Sequence, residues 1–520
     1  MSSAKPTLVA LRPWGTSTIL VGLLFAIVPI ALMLGGLANK PLWGLAACLA
    51  LPLAIPVIYR PNLVTLGVLF VVYTNAAAVA VRFHGVPFFL AACAPLALAI
   101  PLVHFVIIRG ETVILDGTWR WMVGLLAVHL AAAIFSSDPR RSLEFALTFL
   151  VEGVGLYWLV VNVVRSREML RRSVWVLLAA GAFMGALSCF QQATGTYGQA
   201  YGGFAQVEEN AGFATGESDL QGAVRQRRLA GPLGTQNRYA QIMLMLVPLG
   251  LFAAARPQPF GWRIAALGAT AVIALGLALT FSRGAVLGFG LVVVVMIGFR
   301  YISMKQAAIV ALGMGLVVLA LPQYAARMKS LAPLLSAVRD ESSVGSADGS
   351  IRSRAGEALA AMLMAVEHPL TGVGPGMYSQ HYQHYAARVG TELAEGIKVK
   401  EELREPHVLY LGLAAELGIP GVSVFLLIVT LTLRRLAGAR RRCRKRDPEL
   451  ANFLTGFLLA IVAYLGTAFF LHFAYIRFFW LMMALAGAAA CVAARLEREC
   501  KRADLQPLPL APTAVGDPSY

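Results

Sequence analysis

Long apolar runs dominate this sequence, and short polar segments separate them. Each run holds about 17–25 residues, enough for a helix to cross a hydrocarbon core about 30 Å thick. About fourteen such runs occur, near 16–37, 41–59, 62–82, 86–108, 119–136, 144–164, 172–192, 236–255, 262–281, 283–300, 304–321, 407–433, 451–471 and 474–494. The pattern predicts an all-α, polytopic transmembrane helix bundle of about 12–14 spans.

Two longer polar segments, 193–235 and 322–406, interrupt the bundle, and long loops in compact proteins are commonly functional. The predicted organisation is N-terminal transmembrane helices over 1–192, a first outer loop over 193–235, central transmembrane helices over 236–321, a large outer loop over 322–406, C-terminal transmembrane helices over 407–495, and a disordered cytoplasmic tail over 496–520.

The large loop contains a predicted helix over 354–367. Apolar residues recur there at helical spacing, as a stripe of Leu359, Met362, Leu363 and Val366. His368-Pro369 ends the helix, and a glycine-rich turn follows over 370–378. The turn does not resemble a phosphate-binding loop, because no strand precedes it and the required lysine is missing.

Composition supports a membrane protein, since 58% of the residues are hydrophobic and only 14% are charged. Soluble domains average about a quarter charged residues. The net charge of +17 could indicate a nucleic-acid partner, but the basic clusters at 165–172 and 434–446 adjoin apolar runs. The positive-inside rule makes these clusters cytoplasmic loops. Both termini are then cytoplasmic, both long loops lie outside, and no nucleic acid is expected as a partner.

The six cysteines form no framework, because four lie in predicted spans and none lies in the long outer loops. We therefore expect no disulfide, no metal site and no other cofactor.

His407 is the candidate catalytic residue. It follows the large loop at the start of an apolar run, where the helix holds it and water still reaches it. Imidazole is also the side chain best suited to move a proton near neutral pH. Glu402 and Glu405 lie nearby, and a carboxylate partner would raise the basicity of the ring. The sequence leaves open which carboxylate pairs with it, and a purely structural histidine is the alternative.

Arginines supply the candidate binding residues. Arg283 lies in the polar break Ser282-Arg283-Gly284 between two apolar runs, where a charge is costly unless it is paired or reaches water. A snorkelling arginine at the membrane surface is the alternative. Arg228, Arg352 and Arg354 lie in the outer loops. Guanidinium groups bind phosphate oxygens with forked hydrogen bonds, so a pyrophosphate-linked lipid fits such a set.

Four elements over 228–425 resemble the bacterial O-antigen ligase and polysaccharide polymerase family. They are Arg228-Leu229-Ala230-Gly231 with Asn237, then Thr280-Phe281-Ser282-Arg283-Gly284-Ala285, then Arg354 with His368-Pro369-Leu370-Thr371-Gly372-Val373-Gly374, and finally His407-Val408-Leu409-Tyr410-Leu411 with Ala415-Glu416-Leu417-Gly418-Ile419-Pro420-Gly421. One departure is Val408, where the family often has Asn or Ser.

The resemblance implies a GT-C-like membrane glycosyltransferase that is metal-independent and inverting. Its donor would be a glycan on undecaprenyl pyrophosphate, at the periplasmic face of the bacterial inner membrane, among membrane lipids. The acceptor would be a lipid A–core sugar for a ligase, or the next lipid-linked repeat for a polymerase. A peptide acceptor stays open.

The resemblance also implies roles for individual residues. His407 would be the general base, and Arg283 and Arg354 would bind the pyrophosphate. Arg228 is a weaker binding candidate, and Arg352 is grouped with these arginines. Glu416 lies two and a half helical turns past His407, so we expect it to make a packing contact rather than act in catalysis.

A transporter or flippase of lipid-linked sugars or anions is the main alternative. It predicts ionisable residues along a pathway at the membrane midplane. Here those residues cluster at the outer surface, and the spans contain few Asp or Glu. A structural scaffold is a third possibility, in which the outer arginines would have no role. The pattern favours an enzyme.

Overall fold

The computed structural model describes residues 61–92, 94–208, 228–255, 257–320, 349–389, 404–472 and 476–505. The chain divides into two compact units, one of residues 1–65 and 98–113 and one of residues 66–97 and 114–520. The first unit contains α4 and a π-helical turn (His104–Ile108) within its described part. All contacts described below lie within the second unit.

The helices are α1 (Pro61–Tyr73), α2 (Ala76–His84), α3 (Phe88–Ala92), α4 (Ala99–Val103), α5 (Trp119–Ile134), α6 (Pro139–Phe149), α7 (Leu156–Val163), α8 (Arg167–Thr194), α9 (Gln236–Ala253), α10 (Phe260–Ala278), α11 (Arg283–Gly298), α12 (Met304–Ala320), α13 (Gly349–Glu367), α14 (Tyr378–Arg388), α15 (Leu409–Arg446), α16 (Pro448–Thr467) and α17 (Ile476–Leu505). Short 3₁₀ turns lie at Pro95–Leu98 and Tyr201–Gly203, and a π-helical segment (Leu150–Gly155) joins α6 to α7. A two-stranded antiparallel sheet pairs β1 (Gln206–Glu208) with β2 (Arg228–Gly231).

This architecture confirms the predicted all-α polytopic bundle. Among the described residues, seven helices are long and apolar enough to cross a membrane, or eight if the bent pair α1 and α2 forms one span. The predicted runs at 16–37 and 41–59 lie outside the described residues. Every other predicted run coincides with helical structure, although several of those helices are shorter than a full span.

Local caps explain where several helices begin. Asp138 accepts a hydrogen bond from the backbone N–H of Arg141 (3.1 Å), and Asp447 accepts one from Leu450 (3.1 Å). Proline follows each of these acids as the first helical residue. Side-chain oxygens at the cap satisfy orphan N–H groups, and proline at the next position has no N–H to satisfy.

The basic clusters share one end of the bundle. Arg167, at the start of α8, pairs with Asp447 (2.7 Å) and Glu449 (2.5 Å) at the turn between α15 and α16. Arg442, near the end of α15, pairs with Glu497 of α17 (2.8 Å). The other ends of α15, α16 and α17 therefore meet at the opposite end of the bundle, where the large loop joins.

Helix α15 differs from the predicted run at 407–433, because it is broken at Gly418. That residue has φ 67° and ψ −171°, so a short helix over 409–417 precedes the long one. A left-handed φ suits glycine, which has no Cβ to clash. His407 therefore precedes the short helix rather than the membrane-spanning part itself.

The helix predicted over 354–367 is present as part of α13, but only part of its apolar stripe is covered, with Leu363 against the core. Met362 is 48% exposed and Val366 is 69% exposed, whereas Ala360, Ala361 and Met364 are buried. The buried face packs against Tyr residues of α14 and against Ala415, in one apolar cluster. Small alanines let the two backbones approach closely, so side-chain size rather than hydrophobicity decides which face of α13 is covered.

Candidate active site

The backbone around His407 is anchored to the end of α16. The N–H of Leu409 donates to the carbonyl of Ala468 (2.9 Å), and the hydroxyl of Tyr410 donates to the carbonyl of Leu465 (2.9 Å). Pro406 is buried immediately before the histidine. These contacts fix the half-buried imidazole where the large loop meets the bundle.

His407 forms a dyad with Glu357 of α13. Its Nδ1 atom lies 2.6 Å from Glu357 Oε2. The Glu357 side chain is only 3% exposed, and its Oε1 is bonded by Arg404 Nη1 at 3.2 Å. The hydroxyl of Tyr378 also donates to the Glu357 carbonyl (2.7 Å), which fixes the helix backbone at this point.

The dyad determines the tautomer of the imidazole. Because a carboxylate oxygen accepts, Nδ1 carries the proton, and Nε2 is left with its lone pair. An imidazole oriented in this way by a carboxylate is the arrangement that general-base catalysis requires.

Sequence reasoning missed Glu357 as the partner. It considered Glu402, which lies outside the described residues, and Glu405, which is not bonded to the ring. The sequence contains no direct signal for it, because Glu357 lies on the face of α13 that is buried through Ala360 and Ala361 and not on the apolar stripe. A buried acid on an apolar face needs a partner.

The glycine-rich turn attaches the large loop to the short helix that follows His407. The N–H of Val373 donates to Ala415 O (2.8 Å), and that of Gly374 donates to Glu416 O (3.1 Å). These carbonyls end the short helix and would otherwise lack hydrogen-bond donors. Gly372 has φ 64°, and a Cβ there would lie 2.3 Å from the Glu416 carbonyl carbon. Only glycine fits this contact.

A second pair of contacts completes the attachment. The N–H of Ile419 donates to Pro369 O (2.8 Å), across the break at Gly418. The Glu416 carboxylate accepts from the N–H of Tyr378 (3.3 Å), at the start of α14. Glu416 thus makes the helix contact expected of it. The turn is a structural junction that holds Glu357 against His407.

Arg228 holds the turn that precedes Arg283. It is 5% exposed, and it donates to Thr280 O (2.8 Å), to Phe281 O (3.4 Å) and to Asn237 Oδ1 (3.0 Å). Phe281 has φ 51°, so the turn adopts a left-handed conformation that is rare for a bulky residue. Arg228 stabilises this turn, and α11 begins at Arg283 directly after it.

The Arg283 and His407 segments meet at the connection between α16 and α17. A Cβ placed on Gly284 would lie 3.3 Å from Phe470. The same 468–472 segment accepts the hydrogen bond from Leu409 and ends in His472, whose ring centre lies 6.2 Å from that of His407. The structure therefore brings the Arg283 and His407 segments together.

Arg354 is half-buried on α13, one helical turn before Glu357. It therefore lies on the helix face that carries the dyad. Arg352 belongs to the same helix, but its side chain lies outside the described residues.

Further charged residues surround the dyad, and sequence reasoning did not select them. Arg238 of α9 is buried and donates to the carbonyl of His472 (3.0 Å). Burial raises the pKa of Glu405, and the positive charges of Arg238 and Arg141 oppose that rise. Arg141 reaches this region because Ser136 and Ser142, at the start of α6, abut Gly374.

Several arginines lie on the elements that meet at this end of the bundle. They are Arg141, Arg238, Arg283, Arg354 and Arg404, and the described carboxylates on the same elements include Asp138, Glu357, Glu405 and Glu416. The arrangement suits an anionic ligand beside a general base.

Residues 268–426 match the family model described as O-antigen ligase. The match contains Arg283, Arg354, Glu357 and His407, and it confirms the resemblance to the O-antigen ligase and polymerase superfamily of glycosyltransferases. No curated protein matches the chain.

Proposed function

We propose that this protein transfers a glycan from undecaprenyl pyrophosphate to a hydroxyl acceptor, at the periplasmic face of the bacterial inner membrane. The observation that carries the proposal is the His407–Glu357 dyad. It lies within the O-antigen ligase match, on elements that also carry several arginines. A family of this kind uses a lipid-linked glycan donor and a glycan acceptor, which accounts for both the cations and the base.

In the proposed reaction, His407 Nε2 takes the proton of the acceptor hydroxyl. The acceptor oxygen forms a bond to the anomeric carbon, and the bond from that carbon to the phosphate oxygen breaks with inversion. The electron pair leaves with undecaprenyl pyrophosphate. Base assistance of this kind contributes about 10²–10⁴-fold. Pyrophosphate is a good leaving group, so electrostatic stabilisation can take the place of a general acid.

Arg283 and Arg354 are the proposed pyrophosphate ligands. Arg283 begins α11, so its guanidinium adds to the positive end of the helix dipole. Arg354 lies on α13, one helical turn before Glu357. Arg228 is engaged by the backbone carbonyls of Thr280 and Phe281, which supports a positioning role for it.

The distribution of charge supports the periplasmic assignment. Arg167, Arg442 and their acidic partners lie at one end of the bundle, and His407 lies at the other end of α15. Under the positive-inside rule the basic end faces the cytoplasm. The dyad then faces the periplasm, where lipid-linked glycans would be consumed.

Purified variants in lipid nanodiscs test the proposal, with lipid-linked glycan extracted from the source membranes as donor. His407→Ala is expected to lose transfer by at least about 10²-fold, and to bind undecaprenyl pyrophosphate normally. Arg283→Ala is expected to weaken that binding. Arg172→Ala is the matched control, because this exposed arginine pairs with Glu168 at the basic end.

Full transfer by both variants would contradict the proposal. Movement of the donor across the membrane without any transfer would favour a flippase instead. Incubation with donor alone separates the two subclasses, because a polymerase lengthens the donor glycan unaided and a ligase does not.

A further inference from the structure

A second histidine lies beside the proposed base. His472 lies in the connection between α16 and α17, and its ring is nearly perpendicular to that of His407, with an interplanar angle of 77° and a centre-to-centre distance of 6.2 Å. It lies outside both the family match and the residues selected from the sequence.

The polar capacity of this ring is unused. His472 Nδ1 is buried and has no hydrogen-bond partner among the described residues. An unsatisfied buried polar atom costs about 1–3 kcal/mol, so native proteins rarely keep one without a reason. The residue as a whole is only half-buried. The edge of the ring that carries Nδ1 is thus enclosed by protein, while the residue keeps some exposure.

The surroundings keep His472 in place and neutral. Its carbonyl accepts from Arg238 Nη1 (3.0 Å), so the backbone is fixed independently of the ring. Burial holds the pKa of His472 well below its usual range, and the charges of Arg238 and His407 act in the same direction. A neutral imidazole has one N–H donor and one acceptor nitrogen.

The spacing of the two rings fits a single bridging oxygen. An imidazole nitrogen lies about 1.1 Å from its ring centre, and a hydrogen bond to a hydroxyl spans about 2.8 Å. An oxygen bonded to both rings at a roughly tetrahedral angle would place the two ring centres about 6.4 Å apart. The observed separation is 6.2 Å.

We propose that His472 binds the acceptor hydroxyl that His407 deprotonates, so that one oxygen bridges the two imidazoles. The hydroxyl donates to His407 Nε2 and accepts from a ring N–H of His472. As its proton moves to His407, negative charge grows on the oxygen, and the His472 donor stabilises it until the bond to the anomeric carbon forms. His472 keeps its own proton throughout.

This inference rests on the proposed transferase function, and it assigns His472 to the acceptor rather than to the donor pyrophosphate. A hydroxyl can both donate and accept, as the bridge requires, whereas a fully ionised phosphate oxygen can only accept. The arginines already supply the donors that phosphate oxygens need.

The test compares His472→Phe with His472→Gln in the purified full-length protein, again with lipid-linked glycan extracted from the source membranes. The Phe variant keeps the shape of the ring and removes its hydrogen bonds. Its kcat for transfer should fall by about 10²-fold, as for loss of one donor to a developing oxyanion. Its affinity for undecaprenyl pyrophosphate should not change.

The Gln variant retains an N–H donor near the position of Nε2, away from the enclosed Nδ1 edge. It should recover part of the lost kcat and show a raised KM for the acceptor. If the Phe variant fails to accumulate, the Gln variant decides the matter alone, because an unchanged acceptor KM in it would overturn the proposal. His384→Phe is the matched control, because His384 is exposed on α14.

Three results have separate meanings. Normal transfer by His472→Phe, with transfer lost in His407→Ala, would overturn this inference and leave the transferase function standing. Weakened pyrophosphate binding in His472→Phe would overturn it as well, by placing His472 in the donor site. Normal transfer by both His407→Ala and His472→Phe would remove the function on which the inference rests.

Discussion

Replacement of Glu357 by glutamine tests whether a buried carboxylate controls the tautomer of His407. The carboxylate accepts from His407 Nδ1 at 2.6 Å through one oxygen, and from Arg404 at 3.2 Å through the other. A carboxamide keeps only one acceptor oxygen. Because Arg404 can only donate, the amide oxygen would turn to Arg404 and the amide NH₂ would face His407.

That rotation of the amide reverses the tautomer of the imidazole. His407 Nδ1 would have to accept from the amide, so its proton would move to Nε2, and the base would be lost. We expect transfer to fall by about 10²–10⁴-fold, which corresponds to a barrier about 2.7–5.4 kcal/mol higher. Binding of undecaprenyl pyrophosphate should not change, because the arginines that bind it remain.

The assay is single-turnover transfer by purified Glu357→Gln, with thermal unfolding measured in parallel. Glu367→Gln is the matched control, since this exposed carboxylate on the same helix pairs with Arg388 and Tyr385 instead. If Glu357→Gln kept its transfer rate within about threefold, a value far below the contribution of a general base, the assignment of the dyad would be refuted.

Three further predictions follow from the contacts around the site. Gly372→Ala places a Cβ 2.3 Å from the Glu416 carbonyl carbon and should abolish transfer. Gly290→Ala is the control, because open space surrounds that position, and it should leave transfer unchanged in the same assay. Arg228→Ala leaves the Thr280 and Phe281 carbonyls without their donor and should destabilise the protein by about 1–3 kcal/mol, measured as a lowered Tm relative to Arg172→Ala. The pKa of His472 is lowered in the folded protein, whereas a histidine in the unfolded chain has a pKa near 6.5. Below pH 6.5 the unfolded chain therefore binds a proton at His472 that the folded protein does not bind. Folding stability should therefore decrease as pH falls below about 6.5, by up to about 1.4 kcal/mol per pH unit, and His472→Phe should flatten that decrease in a pH series of unfolding curves.

The membrane helices could be predicted from the sequence, because each depends on the length and hydropathy of one continuous run. The polar break at Arg283 could also be predicted from the sequence. The structure has it, since α10 ends at Ala278 and α11 begins at Arg283. The interruption at Gly418 could not be predicted, because it depends on contacts with Pro369 and Gly374, about fifty residues away in the chain.

Only one of the two residues of the dyad could be predicted from the sequence. His407 was identifiable from its position after the large loop, but its partner depends on which face of α13 is covered. Hydrophobicity favoured the face with Met362 and Val366, and close packing selected the face with Ala360 and Ala361 instead. Glu357 lies on that second face, so the error about the stripe and the missed partner have one cause.

Arg228 shows a different limit of sequence reasoning. An arginine in a predicted outer loop is naturally interpreted as a ligand for phosphate. Here the guanidinium of Arg228 donates to backbone carbonyls of a left-handed turn. Which backbone carbonyls need a side-chain donor depends on the fold, so it cannot be predicted from the sequence.

The central claim is that the lipid pyrophosphate binds between Arg283 and Arg354, beside His407. A cryo-EM map of the protein in nanodiscs with undecaprenyl pyrophosphate tests this most directly. Density for both phosphates is expected in contact with the two guanidiniums, at the end of the bundle that carries the dyad. Density for the phosphates at the basic end instead, near Arg440 and Arg442, would contradict it.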